Sequence, residues 1–136
     1  MEIIMKAEEL VKSCNAFNLA SVGENGYPRI CVLSKTKADG IKKLYASTGM
    51  VSTKVKHFKA NPKASACIWK GGDSITLIGT VKVTQDPAVL KENWLDWFTE
   101  HYTGIDDPNY CVLEFTTEEA VLWVGGEFAT VGGDEL

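Results

Sequence analysis

Arginine is almost missing from this sequence of 136 residues: of the 14 Lys and Arg residues, only Arg29 is an arginine. Bidentate hydrogen bonding to a phosphate or carboxylate usually relies on the planar guanidinium group of arginine. A site for an anion must therefore draw mainly on lysine, hydroxyl groups and backbone amides. The net charge of −4 argues against a general nucleic-acid or membrane-surface role, because such proteins concentrate positive charge.

Close cysteine pairs and long apolar runs are also missing. The four cysteines lie far apart in the sequence, at Cys14, Cys31, Cys67 and Cys111. Metal and redox motifs need ligands a few residues apart, so neither is indicated. No apolar run is long enough to span a bilayer, and no basic segment followed by an apolar one marks a secretory signal. We therefore expect a cytoplasmic protein with reduced thiols.

Internal repeats, linkers and low-complexity stretches are not found either. The apolar content of 45% and charged content of 24% are typical of a globular protein, and the length predicts one domain over residues 1–136. No Gly-x-Gly-x-x-Gly run follows a strand, which argues against a dinucleotide-binding α/β fold.

The hydrophobic pattern predicts a mostly β fold with a few helices. Apolar residues at helical spacing predict helices over 6–16, from Val51 to Asn61-Pro62, and from Asp86-Pro87 through Phe98. Runs bounded by Gly, Asn and Asp turns predict strands at 17–22, 28–35, 42–47, 64–69, 74–84, 110–116 and 120–124. Six or seven short strands joined by tight turns favour an antiparallel β-barrel with peripheral helices, followed by a Gly-rich tail.

One segment combines the features of an anion site. A strand over 42–47 leads through Thr48 and Gly49 to a helix that begins with Ser52, Thr53 and Lys54. The first turn of a helix has N–H groups without partners and a partial positive charge, which suits a phosphate. The same residues also suit simple helix capping beside solvated lysines, and the local pattern alone leaves both readings open.

Three segments carry a resemblance to a known family. They are residues 26–33, 45–48 and 52–62, the last of which begins Ser52-Thr53-Lys54 and ends Asn61-Pro62. Together they resemble the FMN-binding split-barrel superfamily, and within it the general-stress-protein type of the pyridoxamine-phosphate-oxidase-like group. The likeness extends in order from about Phe17 to Trp123, and the Ser-x-Lys helix after a Ser/Thr loop is its most specific part.

The resemblance implies a set of FMN contacts. Ser52, Thr53 and Lys54 match the family's phosphate-binding residues, and Thr48 matches a loop residue near the phosphate or the ribityl chain. The strand whose backbone runs along the edge of the isoalloxazine ring is matched by Ile30, Cys31, Val32, Leu33 and Lys35. Ser74 and Trp123 match positions that reach the flavin from across a dimer.

The chain departs from the family pattern at two places. Many relatives place a phosphate-binding arginine within the second strand, where Ile30 or Cys31 stands here, and Arg29 comes one or two positions earlier. Alternate strand residues face opposite sides of a sheet, so this offset decides whether Arg29 reaches the phosphate. True pyridoxamine-phosphate oxidases also carry an arginine and a histidine near the C-terminus, and none follows Trp123 here. We therefore expect little or no vitamin-B6 oxidase activity.

The resemblance implies an FMN-dependent reductase or oxidase of a small molecule, acting as a homodimer with flavin sites at the interface. Three alternatives stay open: a split barrel that binds deazaflavin or haem, a non-catalytic flavin-binding or redox-sensing stress protein, and a ligand-free structural dimer. We expect no metal site and no nucleic-acid or membrane partner. His57 and His101 are expected at the surface, and no pair of acid, base or nucleophile stands out.

Overall fold

The computed structural model describes residues 2–136, in which a single antiparallel sheet of eight strands dominates. The strands are β1 (Ala16–Val22), β2 (Pro28–Ser34), β3 (Lys37–Asp39), β4 (Lys43–Gly49), β5 (Lys63–Lys70), β6 (Asp73–Thr84), β7 (Tyr110–Val124) and β8 (Glu127–Gly132). They are ordered β2-β1-β5-β6-β7-β4-β3, with β8 paired to β7. The sheet curls into a half-barrel, which confirms the predicted mostly β class.

Helices lie at the edges of this sheet. They are α1 (Glu2–Ser13), α2 (Thr53–Ala60) and α3 (Pro87–Glu92), and two short 3-10 turns cover Asp96–Glu100 and Gly133–Glu135. Within residues 2–136, no helix is both long and apolar enough to cross a membrane.

The main core fills the concave side of the sheet. Alternate residues of each strand point inward, such as Phe17 and Leu19 on β1 and Ile75 and Leu77 on β6, and all four are buried. The inner faces of α1 and α2 close this core. A smaller apolar cluster around Tyr110 packs α3 and the following 3-10 turn against the start of β7.

The long strand β7 corrects the prediction of two separate strands at 110–116 and 120–124. It pairs with β6 along its whole length, with β4 over its first half and with β8 over its second half. The register slips by one residue between Ile78 and Gly79, so the bulge absorbs the polar Thr117–Glu119 stretch without ending the strand. A Cβ on Gly79 would lie 1.9 Å from the Thr116 carbonyl oxygen, so this crossing requires glycine.

Several predicted boundaries were wrong. The tail expected after Trp123 folds back as β8, and the short strand β3 forms at Lys37–Asp39, where no strand was predicted. The helix predicted from Asp86-Pro87 through Phe98 ends at Glu92. It ends there because the side chain of Asn93 accepts a hydrogen bond from Thr36 and donates one to the Val89 carbonyl.

The N-terminal helix begins and ends earlier than predicted. It covers Glu2–Ser13 instead of 6–16, and its buried face includes Ile3 but not Cys14. Helix α2 begins at Thr53, so Val51 lies outside it and is 89% exposed. The predicted end of α2 at Asn61-Pro62 is confirmed.

Candidate functional site

The β1–β2 hairpin sets the direction in which each residue of the second strand points. Arg29 pairs with Ser21, and Cys31 pairs with Leu19. Because Ser21 and Leu19 belong to the buried face of β1, Arg29 and Cys31 lie on the concave side of the sheet. Arg29 comes two positions before Cys31 and therefore lies on the same side as Cys31, opposite to Ile30.

Helix α2 begins opposite that side of the hairpin. A small pocket of about 120 Å³, here called the anion pocket, is lined by Ser21, Arg29, Cys31, Thr53 and Lys54. Two cationic side chains and two hydroxyl groups thus converge on one space. The Ser52 N-cap has extended backbone angles but makes no side-chain capping bond, so its hydroxyl leaves the N–H groups of the first helical turn uncapped. Such an arrangement suits a phosphate group.

Hydrogen bonds join two more of the predicted residues, Thr48 and Ser52, to this pocket. Lys54 Nζ donates to Thr48 Oγ1 at 3.2 Å, and Thr48 Oγ1 donates to Ser52 Oγ at 3.5 Å. Thr48 is itself buried, at the end of β4. The strand end therefore holds the ammonium group of Lys54 toward the pocket rather than toward bulk solvent.

A second contact links the pocket to helix α2. Ser21 Oγ lies 2.8 Å from His57 Nδ1, and Ser21 is only 3% exposed. His57 is half-buried, which corrects the expectation of a surface histidine. Sequence reasoning missed Ser21 as a site residue, although its position two residues after Leu19 put a polar side chain on the buried face of β1.

A larger cleft adjoins the anion pocket. This hairpin cleft, of about 590 Å³, lies between the β1–β2 turn and α2, and Arg29 and Thr53 line it as well. Its other lining residues are Val22, Gly23, Glu24, Asn25, Tyr27, Pro28, Lys56, His57, Ala60 and Asn61.

Cys111 lies beneath the loop that carries Thr48. Its thiol donates to the Thr48 carbonyl oxygen at 3.4 Å and is fully buried. Burial raises the pKa of this thiol to about 11, although the charges of Lys59 and Lys54 act in the opposite direction. The side chain is a neutral thiol at pH 7 and is not a nucleophile.

The remaining predicted residues of β2 divide between the two sides of the sheet. Leu33 packs against the main core, and Lys35 donates a hydrogen bond to the Val11 carbonyl. Partial burial lowers the pKa of Lys35. Ile30 and Val32 point to the convex side and are exposed.

Ser74 and Trp123 also lie on the convex side. They are direct partners across the β6–β7 pair, and neither lines the anion pocket of the same chain. Trp123 continues across the sheet to Phe128 of β8, with ring centroids 6.2 Å apart. We call the exposed apolar surface on this side the outer face; it consists of Ile30, Val32, Trp69, Ile78, Trp123 and Phe128, which are 42% to 72% exposed.

The structure thus brings six of the twelve predicted site residues together. These are Arg29, Cys31, Thr48, Ser52, Thr53 and Lys54. The other six either pack elsewhere or face the convex side, namely Ile30, Val32, Leu33, Lys35, Ser74 and Trp123.

Comparison with known proteins gives a consistent picture. The family model for pyridoxamine 5'-phosphate oxidase matches residues 3–124. Among curated proteins, no significant match was found.

Three solved structures illustrate the likeness. The first is a Clostridium acetobutylicum protein related to general stress protein 26 of B. subtilis, of the pyridoxinephosphate oxidase family. It is 33% identical to this chain and has a TM-score of 0.85; the match covers 98% of this chain and 96% of that one. A NimC/NimA family protein from the same organism is 26% identical with a TM-score of 0.72, over 94% and 93%. A heme binding protein from Mycobacterium smegmatis shares the fold at 16% identity, with a TM-score of 0.79, over 97% of this chain and 58% of that one.

Proposed function

The chain belongs to the pyridoxamine 5'-phosphate oxidase family, and from that premise we propose that it is a homodimeric FMN-binding oxidoreductase. Family membership and the curled antiparallel sheet together confirm the predicted split-barrel fold. The FMN cofactor, the homodimer and the redox reaction are what we propose beyond family membership.

The anion pocket is the observation that carries the proposal. Arg29, Lys54 and the hydroxyl groups of Ser21 and Thr53 line a space of about 120 Å³ and form a donor set suited to a dianionic phosphate. Hydrogen bonds connect Thr48 and Ser52 to Lys54 at its edge. Charge-assisted bonds of this kind are roughly twice as strong as neutral ones. The FMN phosphate would accept from these donors and from the N–H groups at the start of α2.

Strand β2 gives the flavin ring its direction. In the proposed complex the ring extends from the anion pocket along residues 30–35, where the backbone N–H and C=O groups of an edge strand face it. The phosphate end is thus fixed by charge, and the ring end by the main chain.

A second subunit would cover the ring. The outer face exposes six large apolar side chains on β2, β5, β6, β7 and β8, and an exposed patch of this kind marks an interaction surface. We propose that two copies pack through it in an isologous dimer. In that dimer Ser74 and Trp123 of one subunit would approach the flavin of the other, which accounts for their distance from the anion pocket of their own chain.

The chemistry is that of the cofactor. When bound, a flavin accepts or donates a hydride at N5, so the protein need supply only binding, orientation and electrostatics. Here Arg29 and Lys54 would fix the phosphate, and the partner's face would exclude water from the ring. The four cysteines are all free thiols, which suits a reducing compartment, and we propose that the dimer is cytoplasmic.

The visible absorption spectrum of the purified protein tests the cofactor. We expect the two-band spectrum of a flavin, and a free flavin in the supernatant after heat release. A Soret band would favour haem, and a colourless protein that also fails to bind added FMN would overturn the proposal.

Oxidation of reduced nicotinamide nucleotides with candidate acceptors then tests for catalysis. Turnover of the FMN-loaded dimer supports an oxidoreductase. Tight FMN binding with no turnover would instead favour the non-catalytic flavin-binding alternative.

A further inference from the structure

The hairpin cleft is a continuation of the anion pocket. Arg29 and Thr53 line both spaces, so a group held in the pocket lies at the mouth of the cleft. The cleft has about 590 Å³, which is within the usual range for small-molecule sites, whereas the anion pocket has room for little more than a phosphate.

The cleft also extends in the direction opposite to the proposed flavin ring. The ring runs from Arg29 toward Lys35, whereas the cleft runs from Arg29 back toward the turn at 23–27. A ligand that carries a further group on its phosphate would therefore place that group in the cleft without moving the ring.

The chemistry of the lining indicates what this group is. Tyr27 offers an aromatic side chain that is 73% exposed at the rim, and base–aromatic stacking needs such a platform. Its backbone N–H donates to Asn25 Oδ1 at 3.1 Å, which helps to fix the turn. Asn25 and Asn61 also line the cleft, and the Oδ1 of each accepts a backbone N–H, from Tyr27 and Lys63. Their side-chain N–H groups are left to donate to the ring nitrogens of a purine.

The charges of the cleft suit a second phosphate near Arg29. Lys56 lies on the same side of α2 and pairs with Glu24 across the cleft at 3.7 Å, with both side chains largely exposed. An exposed pair of this kind contributes little stability, so Lys56 is available to an incoming phosphate.

We infer that the hairpin cleft binds the adenylate half of FAD, with the first phosphate in the anion pocket, the second phosphate at Arg29 and Lys56, and the adenine beside Tyr27. This inference rests on the proposed flavin function and extends it from a mononucleotide to a dinucleotide. The chain then binds FAD more tightly than FMN.

Titration of flavin-free protein with FMN and FAD tests the inference, with wild type compared with Tyr27→Ala, Tyr27→Phe, Lys56→Ala and Lys59→Ala. We expect FAD to bind wild type about tenfold more tightly than FMN, on the scale of one stacked base. Tyr27→Ala should remove most of that advantage and leave FMN affinity unchanged. Tyr27→Phe keeps the ring and should keep the advantage.

Lys56 and Lys59 form a matched pair of exposed lysines on one helix, of which only Lys56 lines the cleft. Lys56→Ala should weaken FAD binding alone, and Lys59→Ala should change neither ligand. Equal affinity for FMN and FAD in wild type, or an equal response of both ligands to Tyr27→Ala, would overturn the inference while the FMN site stands. Failure of both flavins to bind would instead overturn the proposed function itself.

Discussion

Ser21 Oγ and His57 Nδ1, 2.8 Å apart, join the buried face of β1 to helix α2 beside the anion pocket. Ser21 lines that pocket, and His57 lines the hairpin cleft. The pair therefore lies at the boundary of the two spaces and fixes the orientation of the Ser21 hydroxyl. When His57 donates to it, the hydroxyl proton of Ser21 is free to point into the anion pocket.

Removal of this hydroxyl should weaken phosphate binding. We predict that Ser21→Ala lowers FMN affinity by about three- to tenfold, the range of one lost hydrogen bond, and leaves riboflavin affinity unchanged. Ser13→Ala removes an exposed hydroxyl at the end of α1, which lines neither the anion pocket nor the hairpin cleft, and as the control it should have no effect. Titration of flavin-free protein with both ligands measures this, and a parallel loss for riboflavin would point to a packing defect instead.

The outer face should hold the dimer together. A glutamate at the centre of an apolar interface is buried without a partner, so Val32→Glu should dissociate the dimer at micromolar concentration. Met5→Glu places the same charge on an exposed apolar position of α1 outside this face and should leave the dimer intact. Analytical ultracentrifugation distinguishes the 14.9 kDa chain from a dimer of twice that mass. If the wild type is a monomer at this concentration, the outer face is not a dimer interface.

The buried thiol of Cys111 should respond to alkaline pH in a defined direction. Its pKa is raised from 9.0 to about 11 in the folded chain, so the folded state holds the proton more tightly than the unfolded state. The stability that this provides is complete below pH 9 and is lost as pH rises toward 11. We predict that the melting temperature of wild type falls more steeply over this window than that of Cys111→Ala.

Thiol labelling provides a second measurement on the same residue. A shift of this size lowers the thiolate fraction roughly a hundredfold at pH 8. We expect Cys111 to react with a disulfide reagent only after unfolding, whereas the half-buried Cys14, Cys31 and Cys67 react in the native protein. Fast native labelling of Cys111, located by peptide mapping, would contradict the buried position.

The sequence predicted the strands well where one face of each is buried. Alternation in β1 and β5 follows directly from the curled sheet, and their bounds agree within one residue. Sequence-based prediction failed where a long-range contact decides the local structure. The bulge opposite Gly79 and the hydrogen bond from Thr36 to Asn93 depend on partners far along the chain, which periodicity does not encode.

In the candidate site, too, local features were predicted and long-range contacts were not. The Ser52–Lys54 helix start is a local feature, so its pattern was visible in the sequence. The side of the sheet on which Arg29 lies depends on the register of the hairpin, and the contact between Ser21 and His57 joins residues 36 positions apart. Only the folded chain reveals such contacts.

Vitamin-B6 oxidase activity should be absent or marginal. Arg29 is the only arginine and already lines the anion pocket, so no second guanidinium is available to hold the phosphate of a substrate. We predict no efficient conversion of pyridoxamine phosphate to pyridoxal phosphate by the FMN-loaded protein. The absorbance of the product aldehyde measures this, and turnover at a rate typical of enzymes would contradict it.

The central claim is that the anion pocket holds the FMN phosphate, and Lys54 tests it most directly. Removal of a charge-assisted partner costs about 1.5–3 kcal/mol, so Lys54→Ala should weaken FMN binding roughly ten- to a hundredfold. Lys59→Ala removes the same charge from an exposed position of α2 that lines neither space and should leave FMN affinity unchanged. Riboflavin lacks the phosphate, so its weaker binding should not respond to either change.

The decisive measurement is calorimetric titration of flavin-free wild type, Lys54→Ala and Lys59→Ala with FMN and riboflavin. The account predicts a loss that is confined to FMN and to Lys54→Ala. Unchanged FMN affinity in Lys54→Ala, or an equal loss for both ligands, would contradict a phosphate site at the start of α2.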